Sequence, residues 1–135
     1  MFEISINVVL ILFIVILYIL NRDSDVERVI RRIKEDIEEI LNRSGYKLRL
    51  VIVESHEKTY TDKEKIFLVV KREGKLYSYD TLIKVCIHEV SHILCPELGH
   101  TEKFFRIENG LIETAKYLGI VGDKEVHEEY PCEAP

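Results

Sequence analysis

The chain has 135 residues, a formal net charge of −5 and a pI near 5.6. This length fits one domain with an appended segment, and the acidic balance without a clustered basic patch argues against direct nucleic-acid binding. Three cysteines, with no CxxC pair among them, argue against a disulfide framework and fit a reducing compartment.

The chain begins with an apolar segment. Ile4–Leu20 carries no charge, and every residue from Val8 onward is apolar. At about 1.5 Å per residue, a helix here would span about 25 Å, close to the thickness of a bilayer core. A buried core helix would show a polar stripe, and a cleaved signal peptide would have basic residues where this chain has Glu3. We therefore predict a transmembrane anchor over residues 1–22.

The charges on either side of this segment predict its orientation. No Lys or Arg precedes it, and a series of basic residues follows: Arg22, Arg28, Arg31, Arg32 and Lys34. By the positive-inside rule, the remainder of the chain, residues 23–135, faces the cytosol. The sequence thus predicts a single-pass membrane protein with a cytosolic domain.

The domain begins with a predicted amphipathic helix from Ser24 to Asn42. Ser24 and Glu27 form a capping box, and Gly45 follows the last turn. Its apolar residues recur at helical spacing and should face a sheet: Val26, Val29, Ile30, Ile33, Ile37, Ile40 and Leu41.

Three short strands are expected next. Alternation of polar and apolar residues predicts the first over 47–53, and β-branched and apolar residues predict the others over 66–70 and 76–79. A polar loop over 54–65 and a turn around Gly74 separate them. The order α-β-β-β-α-α gives an α+β domain with a small sheet covered by helices.

Two helices complete the domain. Asp80 is the expected N-cap of a buried helix that should end at Cys95, because Pro96 disfavours helical backbone in the residue before it. A second helix is predicted over 102–118, ended by Gly119. Its apolar residues should face inward: Phe104, Phe105, Leu111, Ile112, Ala115 and Leu118.

The buried helix carries the pattern His88-Glu89-x-x-His92. Residues four apart lie on one face of a helix, so both imidazoles can bind the same metal ion. Glu89 lies beside that face, where a carboxylate can accept a proton from a water activated by the metal. Catalytic zinc sites use three protein ligands and keep one position open. The pattern therefore predicts a Zn²⁺ site with Glu89 as the catalytic base.

The third ligand has several candidates. His100 follows the turn at Gly99 and precedes the next helix, an order that lets its side chain return to the metal. Cys95 lies on the same face as His88, but three ligands in line on one straight helix rarely converge on one ion. Other candidates are the acidic residues of the last helix: Glu102, Glu108 and Glu113. We favour His100.

A residue that stabilises the oxyanion of a peptide-hydrolysis intermediate is also expected near such a site. Tyr and His side chains can serve, and the candidates are Tyr130 and His127, followed by Tyr79 and Tyr117. His56, in the polar loop, is expected to be a solvent-exposed histidine.

Three stretches carry a family resemblance: 74–83, the His-Glu-x-x-His motif, and 99–104, which contains Gly-His-x-x-x-Phe. Together they resemble the WLM and SprT-like minimal zinc metallopeptidases, closest to the small WLM-like proteins of large DNA viruses. The resemblance covers residues 24–132 and excludes the anchor. It implies an α+β minimal zincin fold, with His88, His92 and His100 as zinc ligands and Glu89 as general acid and base. It also implies a viral protein, on a host or virion membrane.

The predicted function is a membrane-anchored zinc endopeptidase acting on a protein or peptide substrate. The edge of the sheet, at the strand over 66–70, is expected to pair with an extended substrate. The alternatives are a catalytically inactive zinc module that binds a partner at a membrane, and an anchored adaptor without metal. Substrate identity and oligomeric state do not follow from the sequence.

Overall fold

The computed structural model describes residues 3–21, 24–123 and 130, which form four helices and five short strands. In chain order these are α1 (Ile6–Asn21), α2 (Asp25–Arg43), β1 (Ile52–Ser55), β2 (Tyr60–Thr61), β3 (Ile66–Val69), β4 (Lys71–Arg72), β5 (Lys75–Leu76), α3 (Tyr79–Leu94) and α4 (Glu102–Tyr117). The α+β class predicted from the sequence is confirmed.

The strands form a three-stranded sheet and a separate hairpin. The sheet order is β1-β3-β2, with β1 parallel and β2 antiparallel to β3. The strand β3 is therefore central, and the prediction that residues 66–70 form the exposed edge is wrong. The strand β2, which no sequence pattern indicated, lies within the predicted polar loop and forms one of the two edges, with β1 at the other.

Two other strand boundaries also differ from the prediction. The first strand begins at Ile52 rather than Lys47, because residues 52–55 are the ones aligned with β3. Leu50 is nevertheless buried. The alternation of polar and apolar residues over 47–53 therefore indicated which side chain faces the core, and it did not indicate which residues pair with another strand. The predicted strand over 76–79 is instead β5 followed by the first turn of α3.

Caps define the helix boundaries. Ser24 Oγ accepts a hydrogen bond from Glu27 N at 3.1 Å, and Gly45, with φ of 83°, follows the C-cap of α2. In α3 the N-cap is Ser78 and not Asp80, since the Ser78 side chain accepts from Thr81 N. Thr101 caps α4 in the same way. The predicted end of α3 at Cys95 is confirmed.

The core lies between the sheet and the helices α2 and α3, and α4 packs against both of these helices. α2 contributes Ile33, Ile37, Ile40 and Leu41, β3 contributes Ile66, Leu68 and Val69, and α3 contributes Leu82, Ile83, Cys86, Ile87 and Val90. Leu111 and Ala115 of α4 complete it. Phe105 was expected in this core, but it is 46% exposed. The buried face of α3 makes the motif helix a rigid platform.

The apolar helix α1 stands apart from this core, and none of its residues is buried. Among the described residues, the helix that starts at Ile6 is the segment long and apolar enough to cross a membrane. An aqueous setting would leave its Ile, Leu, Val and Phe side chains in water, at a large hydrophobic cost.

Candidate metal centre

The motif histidines project from the last two turns of α3. His88 and His92 are one helical turn apart, and their ring centroids lie 4.9 Å from each other. Ile87 and Val90 of the same helix are buried in the core, and this burial orients α3 so that the histidine rings face outward. The half-exposed imidazoles therefore face the same cleft.

His100 reaches these rings because the chain reverses immediately after α3. The backbone at Cys95 is extended, and Gly99 adopts a φ of 80°, a left-handed conformation that glycine accepts readily. His100 Nε2 consequently lies 3.1 Å from His88 Nε2 and 3.1 Å from His92 Nε2. The three histidines are close enough together to hold one metal ion.

The distances fit a shared ion better than hydrogen bonding. One Nε2 atom carries at most one proton, so His100 could donate to only one of its two neighbours. Two nitrogens bound tetrahedrally to zinc at about 2.0–2.1 Å would lie about 3.3 Å apart, close to the spacing found here. The donor set thus suits a borderline metal such as zinc.

Glu108 orients the first of these histidines from α4. Its Oε2 lies 2.6 Å from His88 Nδ1, so the ring N–H donates to the carboxylate. This hydrogen bond leaves Nε2 of His88 free to bind metal, as in the carboxylate–histidine pairs behind many zinc ligands. The same hydrogen bond raises the pKa of His88 above its ordinary value. Glu108, weighed above as a candidate ligand, is instead the hydrogen-bond partner of the candidate ligand His88.

The ring of Phe104 packs against all three imidazole rings. It is fully buried, and its ring centroid lies 4.4 Å from that of His92, 4.8 Å from His100 and 5.1 Å from His88. An apolar ring in this position limits how far the imidazoles can rotate. The helical pattern placed Phe104 on an inward face, but it gave no sign of this contact.

The environment of His92 favours its neutral form. Burial lowers the pKa of His92, and its neighbours His88 and His100 lower that pKa further. A neutral imidazole is the form that binds metal. Binding therefore requires little additional deprotonation at this position.

Glu89 lies beside this cluster and is only 6% exposed. It lines a cleft of about 270 Å³ together with His88 and His92. The cleft is also lined by the edge strand β2, by the loop after it and by the turn after α3: Tyr60, Thr61, Lys63, Glu97 and Leu98. The cleft thus joins a buried carboxylate, the histidine cluster and a sheet edge. The sequence analysis missed Tyr60 and Lys63, because the loop they belong to carries no strand pattern.

The remaining candidates for the third ligand are not part of the three-histidine cluster, and two of them form ion pairs within α4. Glu102 pairs with Arg106 at 3.2 Å, and Glu113 pairs with Lys116 at 3.5 Å. Cys95 is buried and lines the cleft, but it does not belong to the group of three ligand atoms. The arrangement supports His100 as the third member.

The candidate oxyanion stabilisers Tyr130, Tyr79 and Tyr117 are not among the residues that line this cleft. The hydroxyl of Tyr130 donates to Val69 O at 2.6 Å and contacts Thr59, which places it on the sheet. Its predicted role is therefore unsupported by the geometry. The hydroxyl of Tyr79 donates to Asp36, and Tyr117 is exposed near the end of α4. His127 lies outside the described residues.

His56 is solvent-exposed, as predicted. Its side chain is 83% exposed, and its nearest charged partner is Glu54 at 3.9 Å. It therefore belongs to the solvated surface and not to the metal centre.

Fold and site together define an α+β domain whose three-histidine cluster could hold one metal ion. The chain is 35% identical over 85 residues to "Uncharacterized protein 136R" of Invertebrate iridescent virus 6, covering 60% of this chain and 48% of that protein. It is 37% identical over 68 residues to "Uncharacterized protein 042R" of Invertebrate iridescent virus 3, covering 49% and 43% respectively. The chain thus spans about half the length of the curated relatives it matches. No family model matches the chain, and no solved structure matches it significantly.

Proposed function

We propose that this protein is a membrane-anchored zinc endopeptidase with a minimal zincin fold, related to the WLM and SprT-like metallopeptidases. The observation that carries the proposal is the convergence of three Nε2 atoms, 3.1 Å apart in two of their pairs, beside the buried carboxylate of Glu89. His88, His92 and His100 would hold the ion. The iridescent virus relatives agree with a viral origin.

Zinc in such a site acidifies water and polarises a carbonyl group, lowering the pKa of the water to about 7. The proton transfers are carried out by a residue of the chain. Glu89 accepts a proton from the attacking water and delivers it to the amine nitrogen that leaves when the peptide bond breaks. Burial favours this role, because a carboxylate out of bulk solvent exchanges protons mainly with groups in the cleft.

The substrate would bind as an extended strand along β2. This edge lines the same cleft as Glu89, and its outward-facing backbone groups can pair with a peptide regardless of sequence. β2 replaces residues 66–70 as the proposed docking edge. The apolar helix α1 would anchor the domain at a membrane, with the domain on the cytosolic side.

A second candidate is a catalytically inactive zinc module that binds a partner at the membrane. It is favoured by the position of Tyr130, whose hydroxyl is held by the sheet instead of facing the cleft. In that case the cluster would stabilise a binding surface, and Glu89 would contribute nothing to turnover.

The two candidates separate in one experiment on the full chain in detergent micelles. Zinc analysis of the wild type and Glu89→Gln should give the same metal content for both. Proteomic cleavage mapping should then yield fragments with the wild type only. Equal fragments from both proteins would refute the peptidase mechanism, and absence of bound zinc would refute both candidates.

A further inference from the structure

The hydroxyl of Tyr130 belongs to a closed network of three hydrogen bonds on the sheet. Tyr130 Oη donates to Val69 O at 2.6 Å, and Val69 N donates to Thr59 Oγ1 at 2.9 Å. The single proton of the Tyr130 hydroxyl is already given to Val69 O. The contact of 2.5 Å between Thr59 Oγ1 and Tyr130 Oη is therefore donated by Thr59. Each of the three residues in this hydroxyl network both donates and accepts.

The hydroxyl network is buried against the core. Thr59 is fully buried, and Val69 is 4% exposed. The ring of Tyr77, itself buried, packs against the ring of Tyr130, with the two centroids 4.7 Å apart. Because water has little access to the Thr59 hydroxyl, loss of its partner costs more than loss of a solvent-exposed hydrogen bond. The network therefore holds Thr59 firmly beside β3.

Thr59 immediately precedes β2, the edge strand that lines the cleft. β2 consists of Tyr60 and Thr61, which pair with Phe67 and Ile66 of β3. A pairing of two residues supplies few backbone hydrogen bonds, and small isolated strand pairs are marginally stable. The position of β2 therefore depends on what holds its two ends.

The two ends of β2 are held in different ways. At the downstream end, Thr61 Oγ1 donates to Lys65 O at 2.7 Å, and Asp62 Oδ1 accepts from Lys65 N at 2.9 Å. These contacts lie within one turn and need no other part of the chain. At the upstream end, the hydroxyl network joins Thr59 to Tyr130, which is 71 positions away in the sequence. The upstream end thus depends on a distant residue.

We propose that Tyr130 is a positioning residue that holds β2 in the conformation that binds an extended substrate. The inference deepens the proposed function and rests on it, because it takes the β2 edge as the place where the peptide pairs. A docking strand that is fixed before the substrate arrives lowers the ordering cost of binding. Tyr130 therefore acts on substrate affinity from outside the cleft. Unlike the oxyanion stabilisation predicted from the sequence, this role needs no contact with the reacting atoms.

The test compares Tyr130→Phe with Tyr117→Phe in the full chain in detergent micelles. Tyr130→Phe removes the hydroxyl and keeps the aromatic ring that packs on Tyr77. Tyr117→Phe is the matched control, because Tyr117 is 86% exposed at the end of α4. For a peptide spanning a mapped cleavage site, Tyr130→Phe should raise KM about three- to tenfold, with kcat within about twofold of the wild type. Zinc content should stay the same, and the control should match the wild type.

The division between KM and kcat separates positioning from a general loss of stability. If Tyr130→Phe only unfolded part of the protein, the folded remainder would bind substrate normally. The apparent kcat per chain would then fall while KM stayed constant. That result would overturn the proposal, and so would kinetic constants equal to those of the wild type.

Substitutions of Thr59 test the other side of the same hydrogen bond. Thr59→Val keeps the shape of the side chain without its hydroxyl, and should raise KM as Tyr130→Phe does. Thr59→Ser keeps the hydroxyl and should retain most of the wild-type affinity. Combining Thr59→Val with Tyr130→Phe should give a KM close to that of the weaker-binding single variant, because both substitutions break one network. Fully multiplicative increases in KM would contradict the proposal.

Hydrogen–deuterium exchange monitors β2 without turnover, so it separates this proposal from the peptidase assignment. In Tyr130→Phe, exchange over residues 59–65 should be faster by about threefold or more, with exchange over α3 unchanged. Unchanged exchange over 59–65 overturns the proposal. A wild-type chain that cleaves no peptide, while Tyr130→Phe still accelerates exchange over 59–65, overturns the peptidase assignment and leaves the hold of Tyr130 on β2 standing.

Discussion

The candidate metal centre has two sides that arise in different ways. The α3 side supplies His88, Glu89 and His92, whose positions follow from the repeat of one helix. The α4 side supplies Phe104 and Glu108, and the turn before α4 supplies His100; these reach the site only because α4 packs across α3. A local pattern can therefore specify two of the three candidate ligands, while their orientation depends on a neighbouring helix.

The largest effect is expected from removing the ligand that the turn provides. His100→Ala should lose stoichiometric zinc, since two histidines on one helix leave the ion without its third protein ligand. Metal analysis after dialysis measures this directly. His56→Ala is the matched control, because His56 is exposed and does not belong to the cluster. Retention of one zinc per chain in His100→Ala would show that the α3 side is sufficient.

Next in size is the effect of Glu89→Gln on turnover. Loss of a general acid–base group should reduce peptidase activity by about 100- to 10,000-fold while zinc content stays unchanged. Initial rates of cleavage of an identified substrate, with equal zinc loading in both proteins, test this. Glu97→Gln, a carboxylate exposed at the rim of the same cleft, should change the rate little. A larger loss from Glu97→Gln than from Glu89→Gln would reassign the base.

A smaller effect, on zinc affinity, is expected from replacing Glu108, whose carboxylate bonds to His88. Glu108→Gln should weaken zinc affinity by about 10- to 100-fold, because the neutral amide supports the Nδ1 proton less strongly. Competition with a fluorescent zinc chelator measures the affinity. Glu113→Gln, on the same helix and paired with Lys116, is the control and should leave the affinity unchanged. Equal affinities in all three proteins would mean that Glu108 does not orient the ligand.

The smallest effect, on the free energy of unfolding, is expected from replacing Phe104, which packs against the three imidazole rings. Phe104→Leu should lower the free energy of unfolding by about 1–2 kcal/mol, since a smaller side chain leaves space under three imidazoles. Phe105→Leu should change it by less than about 0.5 kcal/mol, because this ring is largely exposed. Urea unfolding of the zinc-free chain in micelles gives both values. Equal costs at the two positions would contradict the packing described for Phe104.

Helix positions were more predictable than strand positions, for a physical reason. Ser24 and Thr101 cap their helices through hydrogen bonds to residues three positions ahead, so the signal is contained in a few neighbouring residues. The edge strand β2 gives no such signal. Tyr60 and Thr61 are extended because β3 lies beside them, and β3 comes from another part of the chain.

The candidate site also combines features set by neighbouring residues with features set by contacts between distant parts of the chain. The sequence by itself determined an apolar N-terminal helix, an amphipathic α2, and a helix with two histidines one turn apart and a glutamate next to the first, since each depends on a short-range repeat. Only the tertiary structure decided that β3 is central, that Tyr130 bonds to the sheet, and that Glu108 and Phe104 hold the histidine rings. These contacts join residues far apart in the chain, and they form only when the helices bury their apolar faces against the sheet and one another.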